Sequence, residues 1–520
     1  MIKMFKIKLL SFLDQVVPGQ SGLRYIIHRC QTVIPAILPE RSTRIGVILY
    51  GDALDARSMN RFQRCVDEQL YRATAVFHAA DLPAAEVLGR FDYLCFVEHG
   101  CLLHVNALAL LLHEAIRDDC DLVYADEDQL LWGVFRCRPF YKPGIGKYLL
   151  WSKDYITSFF CLKVTPEVVD ALCTEGVSKK SLYTLLLDLE IWDKKTMRVP
   201  HILSHRSRNS RRIVDTYSTE AVEDYLERKE LLQRVRVTSD NLQNRLLFTP
   251  SSSPLVSIII PFKDKVNLTR QCVCSIESSS YRNFEIILVD NRSVEKETAC
   301  YLENSPHTVI RADIDFNYSQ LNNIGVAAAN GDYLVLMNND IEVITHDWLE
   351  NLIGLAEFPD VGAVAPKLLY PNGTIQHAGM VLTQKKGAKH VNRNLRGDKG
   401  GYANYNVMVR EYLAFTGACI ALSRRKFLEV GGFDEELAII SNDVDLCLRL
   451  YERGYVNVFN PNVMLYHYES ASRKGQKKGT RGDNLRLFGV RWRKYFGNDP
   501  YYNPNLSQQR KDFAVRVDIS

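Results

Sequence analysis

The strongest constraint in this chain is an alternation that runs, stops and starts again. Short, nearly all-apolar runs are separated by stretches with helical spacing. In the first half these runs are Arg44-Ile-Gly-Val-Ile-Leu-Tyr-Gly51, Phe91-Asp-Tyr-Leu-Cys-Phe-Val97 and Asp121-Leu-Val-Tyr124, and residues 106–117 carry a helical pattern. In the second half residues 255–260, 284–289 and 333–337 read as strands, and residues 267–278, 320–329 and 348–357 as helices. Strands without polar alternation belong to sheets covered on both faces. Strands that alternate with helices imply a doubly wound, mostly parallel α/β sheet. Between the halves, Ser251-Ser-Ser-Pro254 punctuates the chain, as turn-forming residues do at a boundary. The reading is a helical lead-in at 1–40, an α/β domain at 41–215, a charged helical linker at 216–253, a second α/β domain at 254–500 and a C-terminal tail at 501–520. The restart reads as a second α/β unit, with a diverged repeat of the first as one origin.

Composition excludes some classes. A formal net charge of +4 gives no case for a nucleic-acid partner. The 13 cysteines show no Cys-x2-Cys pair, and the closest two, Cys272 and Cys274, are one residue apart. That spacing fits neither a zinc cluster nor a disulfide framework, and points to reduced thiols in a cytosolic protein. No run of 18 apolar residues exists to span a bilayer. The start, Met1-Ile-Lys-Met-Phe-Lys-Ile-Lys-Leu-Leu-Ser-Phe-Leu13, is apolar with three lysines and no cleavage site. It reads either as a basic amphipathic helix on an anionic membrane surface or as an ordinary helix packed on its own domain.

Ligands of open α/β sheets bind outside the carboxyl ends of the strands. Here those ends carry Pro261-Phe-Lys-Asp264, Asp290-Asn-Arg-Ser293 and Asn338-Asn-Asp340. Polar turns occur at strand ends for ordinary reasons too. Asn338 and Asp340, two residues apart, can offer oxygen ligands to Mg2+ or Mn2+. Ser441-Asn-Asp-Val-Asp445 opens a helical run with Ser441 or Asn442 as N-cap. Asp443 and Asp445 are then either carboxylates favoured by the helix dipole or the seat of a rigidly held general base. His467 follows the apolar Val463-Met-Leu-Tyr466 and reads as a structural histidine or as an imidazole ligand.

In order, these pieces resemble the family-2 glycosyltransferases of GT-A fold from bacterial O-antigen and surface-polysaccharide assembly. The matching stretches begin with Val256-Ser-Ile-Ile-Ile-Pro261, Ile286-Ile-Leu-Val-Asp-Asn-Arg-Ser293, Leu321-Asn-Asn-Ile-Gly-Val-Ala-Ala-Ala-Asn-Gly331 and Leu336-Met-Asn-Asn-Asp340. They continue with Gly373-Thr-Ile-Gln-His-Ala-Gly379, Thr416-Gly-Ala-Cys419, Gly431-Gly-Phe-Asp-Glu435, Asn442-Asp-Val-Asp-Leu446 and His467-Tyr-Glu-Ser470. The resemblance implies that Asp290 reads the nucleotide base or ribose beside Pro261 and Phe262, and that Asn323, Asn338 and Asn339 also bind the nucleotide sugar. Asp340 takes the place of the principal metal ligand in the family's Asp-x-Asp motif, and Asn338 stands where the first acid would be. His467 resembles a late histidine that helps hold metal and diphosphate. Asp443 occupies the place of the catalytic base, with Asn442 where the family has Glu. Gly417, Gly432, Asp434 and Asn442 look like acceptor-side residues.

The first half shows a weaker likeness, in Asp121-Leu-Val-Tyr-Ala-Asp-Glu-Asp128, Pro139-Phe-Tyr-Lys-Pro143 and Val199-Pro-His201. Where a metal motif should follow the strand near Val97 it has Glu98-His-Gly100. That implies a degenerate GT-A-like unit that positions acceptor or partner, with a second active site at Asp126, Glu127 and Asp128 as the minority reading.

The implied reaction is a single in-line displacement at the anomeric carbon of a nucleotide-diphosphate sugar, with inversion and with Mn2+ or Mg2+ on the diphosphate. The implied acceptor is a lipid-linked oligosaccharide or polysaccharide at the cytoplasmic face of the inner membrane, reached by peripheral contact. A nucleotidyltransferase is disfavoured, because Pro261-Phe-Lys-Asp264 has no glycine. The non-enzymatic alternative is a carbohydrate-binding scaffold of a polysaccharide assembly complex.

Overall fold

A computed structural model describes residues 43–517 apart from 53–55, 132–134, 208–215, 241–242, 385–386, 470–477 and 511, together with residues 25, 29, 34 and 35. The lead-in expected at 1–40, with its amphipathic start, otherwise lies outside the described residues.

The first sheet is built from β1 (Ile45–Tyr50), β2 (Ala75–His78), β3 (Tyr93–Glu98), β4 (Cys101–Leu103), β5 (Leu122–Leu131), β6 (Phe135–Phe140), β7 (Phe159–Lys163) and β8 (Thr196–Ser207). Its order is β2-β1-β3-β7-β5-β8-β4, with β6 on β5. A helix, Tyr217–Arg228, and an antiparallel hairpin, β9 (Val235–Asp240) with β10 (Gln243–Phe248), lead to the second half. The linker is therefore helical only in its first part. Val235 and Val237 are buried while Arg236 and Thr238 are exposed, so a period of two lay hidden among the charges.

The second sheet uses β11 (Val256–Phe262), β12 (Phe284–Asp290), β13 (Thr308–Arg311), β14 (Tyr333–Met337), β15 (Ile341–Val343), β16 (Val361–Leu369) and β17 (Ile375–His377). After a small hairpin of β18 (Met380–Thr383) and β19 (Gly387–His390) come β20 (Arg410–Glu411), β21 (Cys419–Ser423) and β22 (Val456–His467). The order is β13-β12-β11-β14-β21-β16-β22-β15, with β17 on β16 and β20 on β22. Relative to β11, strands β12, β13, β14, β16 and β22 run the same way, and β15 and β21 run against them. The carboxyl ends of β11, β12, β14, β16 and β22 thus share one edge with the start of β21. Helices cover the sheet through apolar stripes, as in Val266–Glu277, which buries Val266, Thr269, Cys272, Val273 and Ile276.

The two sheets have the same plan. Replacing β11, β12, β14, β15, β16, β17, β21 and β22 by β1 to β8, in order, preserves every neighbour and the direction of every pairing. Among the described residues only β13 and β20 lack a counterpart. The second α/β unit is thus a topological repeat of the first.

One apolar core runs through both units, from Ile48 and Trp151 to Ile259 and Leu465. Across the seam Glu411 accepts from the Tyr148 amide at 2.6 Å, and Lys147 pairs with Asp360 at 3.3 Å. Burial pushes the Glu411 carboxyl up to about 7. The residues expected to form a tail are built into this seam. Leu506, Phe513 and Val515 are buried, and the Asn503 amide donates to Asp126 at 2.9 Å. No helix among the described residues is long and apolar enough to cross a membrane.

Candidate active site

The edge shared by β11, β12, β14, β16 and β22 gathers most of the residues singled out above. Asp340 lies in the short turn between β14 and β15. Because β15 runs antiparallel to β22, Ile341 pairs with His467, and this register brings the Asp340 side chain onto the imidazole. Asp340 Oδ1 lies 3.1 Å from His467 Nε2, and Asn338 Nδ2 lies 3.4 Å from the same nitrogen. Asp340 is 6% and His467 5% exposed, so bulk water competes little for either donor. Asn339 turns away and donates to Thr269 Oγ1 at 3.0 Å.

Asp443 reaches this edge from the start of the helix Asn442–Glu452. The Gly417 amide donates to its Oδ2 at 2.7 Å and the Val444 amide to its Oδ1 at 2.8 Å. The next residue after Gly417, Ala418, accepts from the Asn338 amide at 3.0 Å, so a short backbone path ties Asp443 to the Asp340 turn. The Tyr318 hydroxyl donates to the Gly417 carbonyl at 2.6 Å. Its phenol is raised by burial first, then by the charge of Asp443, with Asp340 also contributing. Both carboxylates therefore act on one ring. Asp443 is half-buried.

Ser441 is the N-cap, yet its φ is +64° and its side chain makes no capping bond. The Asn442 side chain, 4% exposed, instead accepts from the Asp443 amide at 2.9 Å. Asp445 is fully buried and points elsewhere, onto Arg449 at 2.7 Å, Arg491 at 2.8 Å and Trp492 Nε1 at 2.8 Å.

At the carboxyl ends of β11 and β12, Phe262 pairs with Asp290. Asp290 is fully buried, accepts from the Ser293 amide at 3.0 Å and pairs with Arg311 at 2.7 Å. Phe262 is buried beside it and Pro261 is half-buried. Asn323 does not join this group. Its amide donates to Phe433 O at 2.9 Å and accepts from Phe433 N at 3.0 Å. Its partners are those of the loop expected on the acceptor side, where Gly432 has φ +70° and a Cβ would meet Asn323 Oδ1 at 2.9 Å. Asp434 in that loop pairs with Arg491 at 2.7 Å.

Two residues of this edge were not named as site residues, although Gln376 lies in the stretch at 373–379. Tyr318 is one. Gln376 is the other: its Oε1 lies 2.5 Å from His467 Nδ1. Among the described residues no group of three or more His, Cys, Asp or Glu side chains could hold a metal ion. Asp340 and His467 are a pair of potential donors. Such a pair suits Mn2+ or Mg2+, which take one or two carboxylates and complete their shell with water and phosphate oxygens.

The equivalent edge of the first sheet has a different chemistry. There Arg206 pairs with Cys101, as His467 does with Ile341, and Gly100 stands in place of Asp340. Glu98 is held by Lys179 at 2.9 Å and Arg206 at 3.3 Å, and Glu127 by Lys142 at 3.0 Å. Asp126 accepts from the Lys142 amide at 2.8 Å and from Asn503, and Asp128 pairs with Arg136 at 2.7 Å and His205 at 2.6 Å. The minority reading of a second active site at Asp126, Glu127 and Asp128 does not fit this edge, where Glu127 and Asp128 are paired with basic side chains of the protein and Asp126 is fully buried and held by amides.

Residues 257–430 match the family model described as Glycosyl transferase family 2. An uncharacterized protein, y4gI, of Sinorhizobium fredii is 34% identical over 454 residues, covering 82% of this chain and 50% of that protein. The O-antigen biosynthesis protein RfbC of Myxococcus xanthus is 34% identical over 448 residues, covering 82% of this chain and 35% of that protein. The chain thus spans half or less of the length of these curated relatives. A crystal structure of GalNAc-T7 with UDP, GalNAc and Mn2+ aligns with a TM-score of 0.38 and 18% identity, over 46% of this chain and 50% of that one.

Proposed function

We propose, from the premise that residues 257–430 carry a family-2 glycosyltransferase domain, that the chain moves a sugar from a nucleotide-diphosphate sugar onto a hydroxyl of a surface glycan, with inversion. The observation that carries this reading is the meeting of Asp340 and His467 at one sheet edge, 3.1 Å apart, with Asp443 tied to the same edge through Gly417.

Asp443 accepts the proton of the acceptor hydroxyl as that oxygen attacks the anomeric carbon. The Gly417 and Val444 amides fix the carboxylate so that it need not reorient during attack. The nucleotide lies toward Asp290, Pro261 and Phe262, with Arg311 at the mouth of that end. Asp340 and His467, with Asn338 beside them, would hold Mn2+ or Mg2+. When bound, such an ion neutralises the charge that builds on the departing diphosphate. Gly417, Gly432, Asp434 and Asn442 border the acceptor side.

The acceptor in this reading is a growing O-antigen or related polysaccharide on a lipid carrier, reached at the cytoplasmic face of the inner membrane. The name of the Myxococcus relative supports the glycan class. The first unit positions acceptor or partner and does no chemistry, a role supported by the self-neutralised edge at Glu98 and Arg206.

The test is to incubate the full chain with Mn2+ and a panel of nucleotide sugars and to measure release of nucleotide diphosphate. One donor should turn over, and chelation should stop it. Asp443→Asn should lower turnover by a factor on the order of 10²–10⁴ while calorimetry finds donor binding intact. Near-normal turnover in that variant would remove Asp443 as base. Donor binding without turnover on any sugar would favour the scaffold alternative.

A further inference from the structure

We propose that Gln376 is a positioning residue that fixes the tautomer of His467 and so aims its Nε2 lone pair at Asp340. The proposal rests on the reading of Asp340 and His467 as metal donors, and it assigns to that site a residue outside the donor set.

The argument starts from which way the Gln376 amide faces. β17 carries Gln376 and lies against β16, which lies in turn beside β22 and its terminal His467. One end of the amide, Nε2, is 3.4 Å from Glu469 Oε2. That carboxylate oxygen also accepts from Arg393 Nη2 at 2.7 Å and from the Tyr370 hydroxyl at 3.0 Å. An ionised carboxylate only accepts hydrogen bonds, so the NH2 end must face it and the oxygen must face the imidazole. At 2.5 Å, Gln376 Oε1 therefore takes the proton on His467 Nδ1. Gln376 is 4% exposed, so water does not share this bond.

With Nδ1 carrying the proton, Nε2 of a neutral imidazole is an acceptor. The Asn338 amide nitrogen, 3.4 Å away, is placed to donate to it. Asp340 Oδ1, 3.1 Å away, is a second acceptor facing the first. Two lone pairs facing one another at that distance repel unless a proton on Nε2 or a metal ion lies between them. The chain from Arg393 through Glu469 and Gln376 to His467 thus prepares the two donors for a divalent ion before it arrives. Outer partners of ligating histidines act in this way, fixing tautomer and ring orientation.

The experiment uses the full chain and Mn2+ alone, with free Mn2+ followed by electron paramagnetic resonance. Gln376→Leu keeps the volume and removes the acceptor, and should weaken Mn2+ binding by about 10–100-fold. Gln376→Glu combined with Glu469→Gln keeps an acceptor against Nδ1–H and a donor–acceptor pair at the far end, and should bind Mn2+ close to wild type. Equal affinity in wild type and both variants would overturn the proposal. A second measurement needs no metal and no Leu variant. Imidazole nitrogen shifts of the 15N-histidine-labelled protein, with His467 assigned by its loss in His467→Gln, should show the Nδ1–H tautomer. An Nε2–H tautomer, or an imidazolium near pH 8, would overturn the proposal. Wild-type protein with the Nδ1–H tautomer that takes up no Mn2+ would sink the metal reading and support the Gln376 assignment.

Discussion

At Gly417 the missing side chain sets how closely two other groups approach. A Cβ there would lie 3.2 Å from Asp443 Cβ and 3.3 Å from the Tyr318 hydroxyl. Both contacts are tighter than ordinary packing, and the Asp443 side is held by the Gly417 amide itself. Gly417→Ala should therefore push Asp443 off its position. We expect turnover to fall roughly 10-fold or more, since small displacements of a catalytic group cost up to about 10²-fold, with a stability loss of about 1–3 kcal/mol. Steady-state rates beside thermal melts check this, and wild-type turnover in a stable variant would show that Asp443 tolerates the shift. Asp340, Asp443 and His467 were named in the sequence through the order of their motifs, since a polar residue at a strand end or helix start reads equally well as an ordinary turn or cap. Tyr318 and Gln376 were not legible as site residues. Their roles depend on which strand ends become neighbours, and that appears only after the sheet has formed.

The helix Asn442–Glu452 divides two carboxylates between two tasks. Asp443 and Asp445 are two residues apart, which turns them about 200° around the helix axis. One faces the cleft and the other the interior. Asp445 gathers Arg449, Arg491 and Trp492, and so docks the helix Lys478–Arg491 onto the sheet domain. Removing a buried partner of this kind leaves cations unpaired and costs about 3–5 kcal/mol. Asp445→Ala should speed amide exchange in the helix Lys478–Arg491 ahead of the rest of the chain. Exchange there at the wild-type rate would mean that other contacts hold that helix. In the sequence both acids read alike as first-turn residues, because their difference lies in partners more than 40 positions downstream. The hairpin of β9 and β10 was hidden for a related reason. Its exposed arginines gave the segment the look of a charged helix, although its buried positions alternate.

The whole molecule repeats one sheet plan twice and fills the two equivalent edges differently. The second edge offers Asp340 and His467. The first offers Gly100 and Arg206, with Lys179 on Glu98. A guanidinium carries its own charge where the imidazole could accept a metal, so a divalent ion gains nothing at the first edge. We expect Mn2+ titration of the full chain to saturate at one ion per chain, and two tight sites would contradict this. The α/β class and the restart near Pro254 were legible because apolar runs announce covered strands. The common strand order was less so, since it depends on crossovers and on β7 and β21 inserting antiparallel. The seam was missed altogether. Residues near the C-terminus looked like a tail, because single buried side chains such as Leu506 and Val515 form no period.

That seam also has a consequence for synthesis. Asn503 reaches back across 377 positions to the carboxylate of Asp126, and burial holds that carboxyl up at about 7. A ribosome adding roughly 5–20 residues per second would deliver Asn503 about 20–75 s after Asp126. For that interval Asp126 has the Lys142 amide as a donor but lacks the Asn503 amide. Its final packing therefore waits until residues beyond the second sheet have been made.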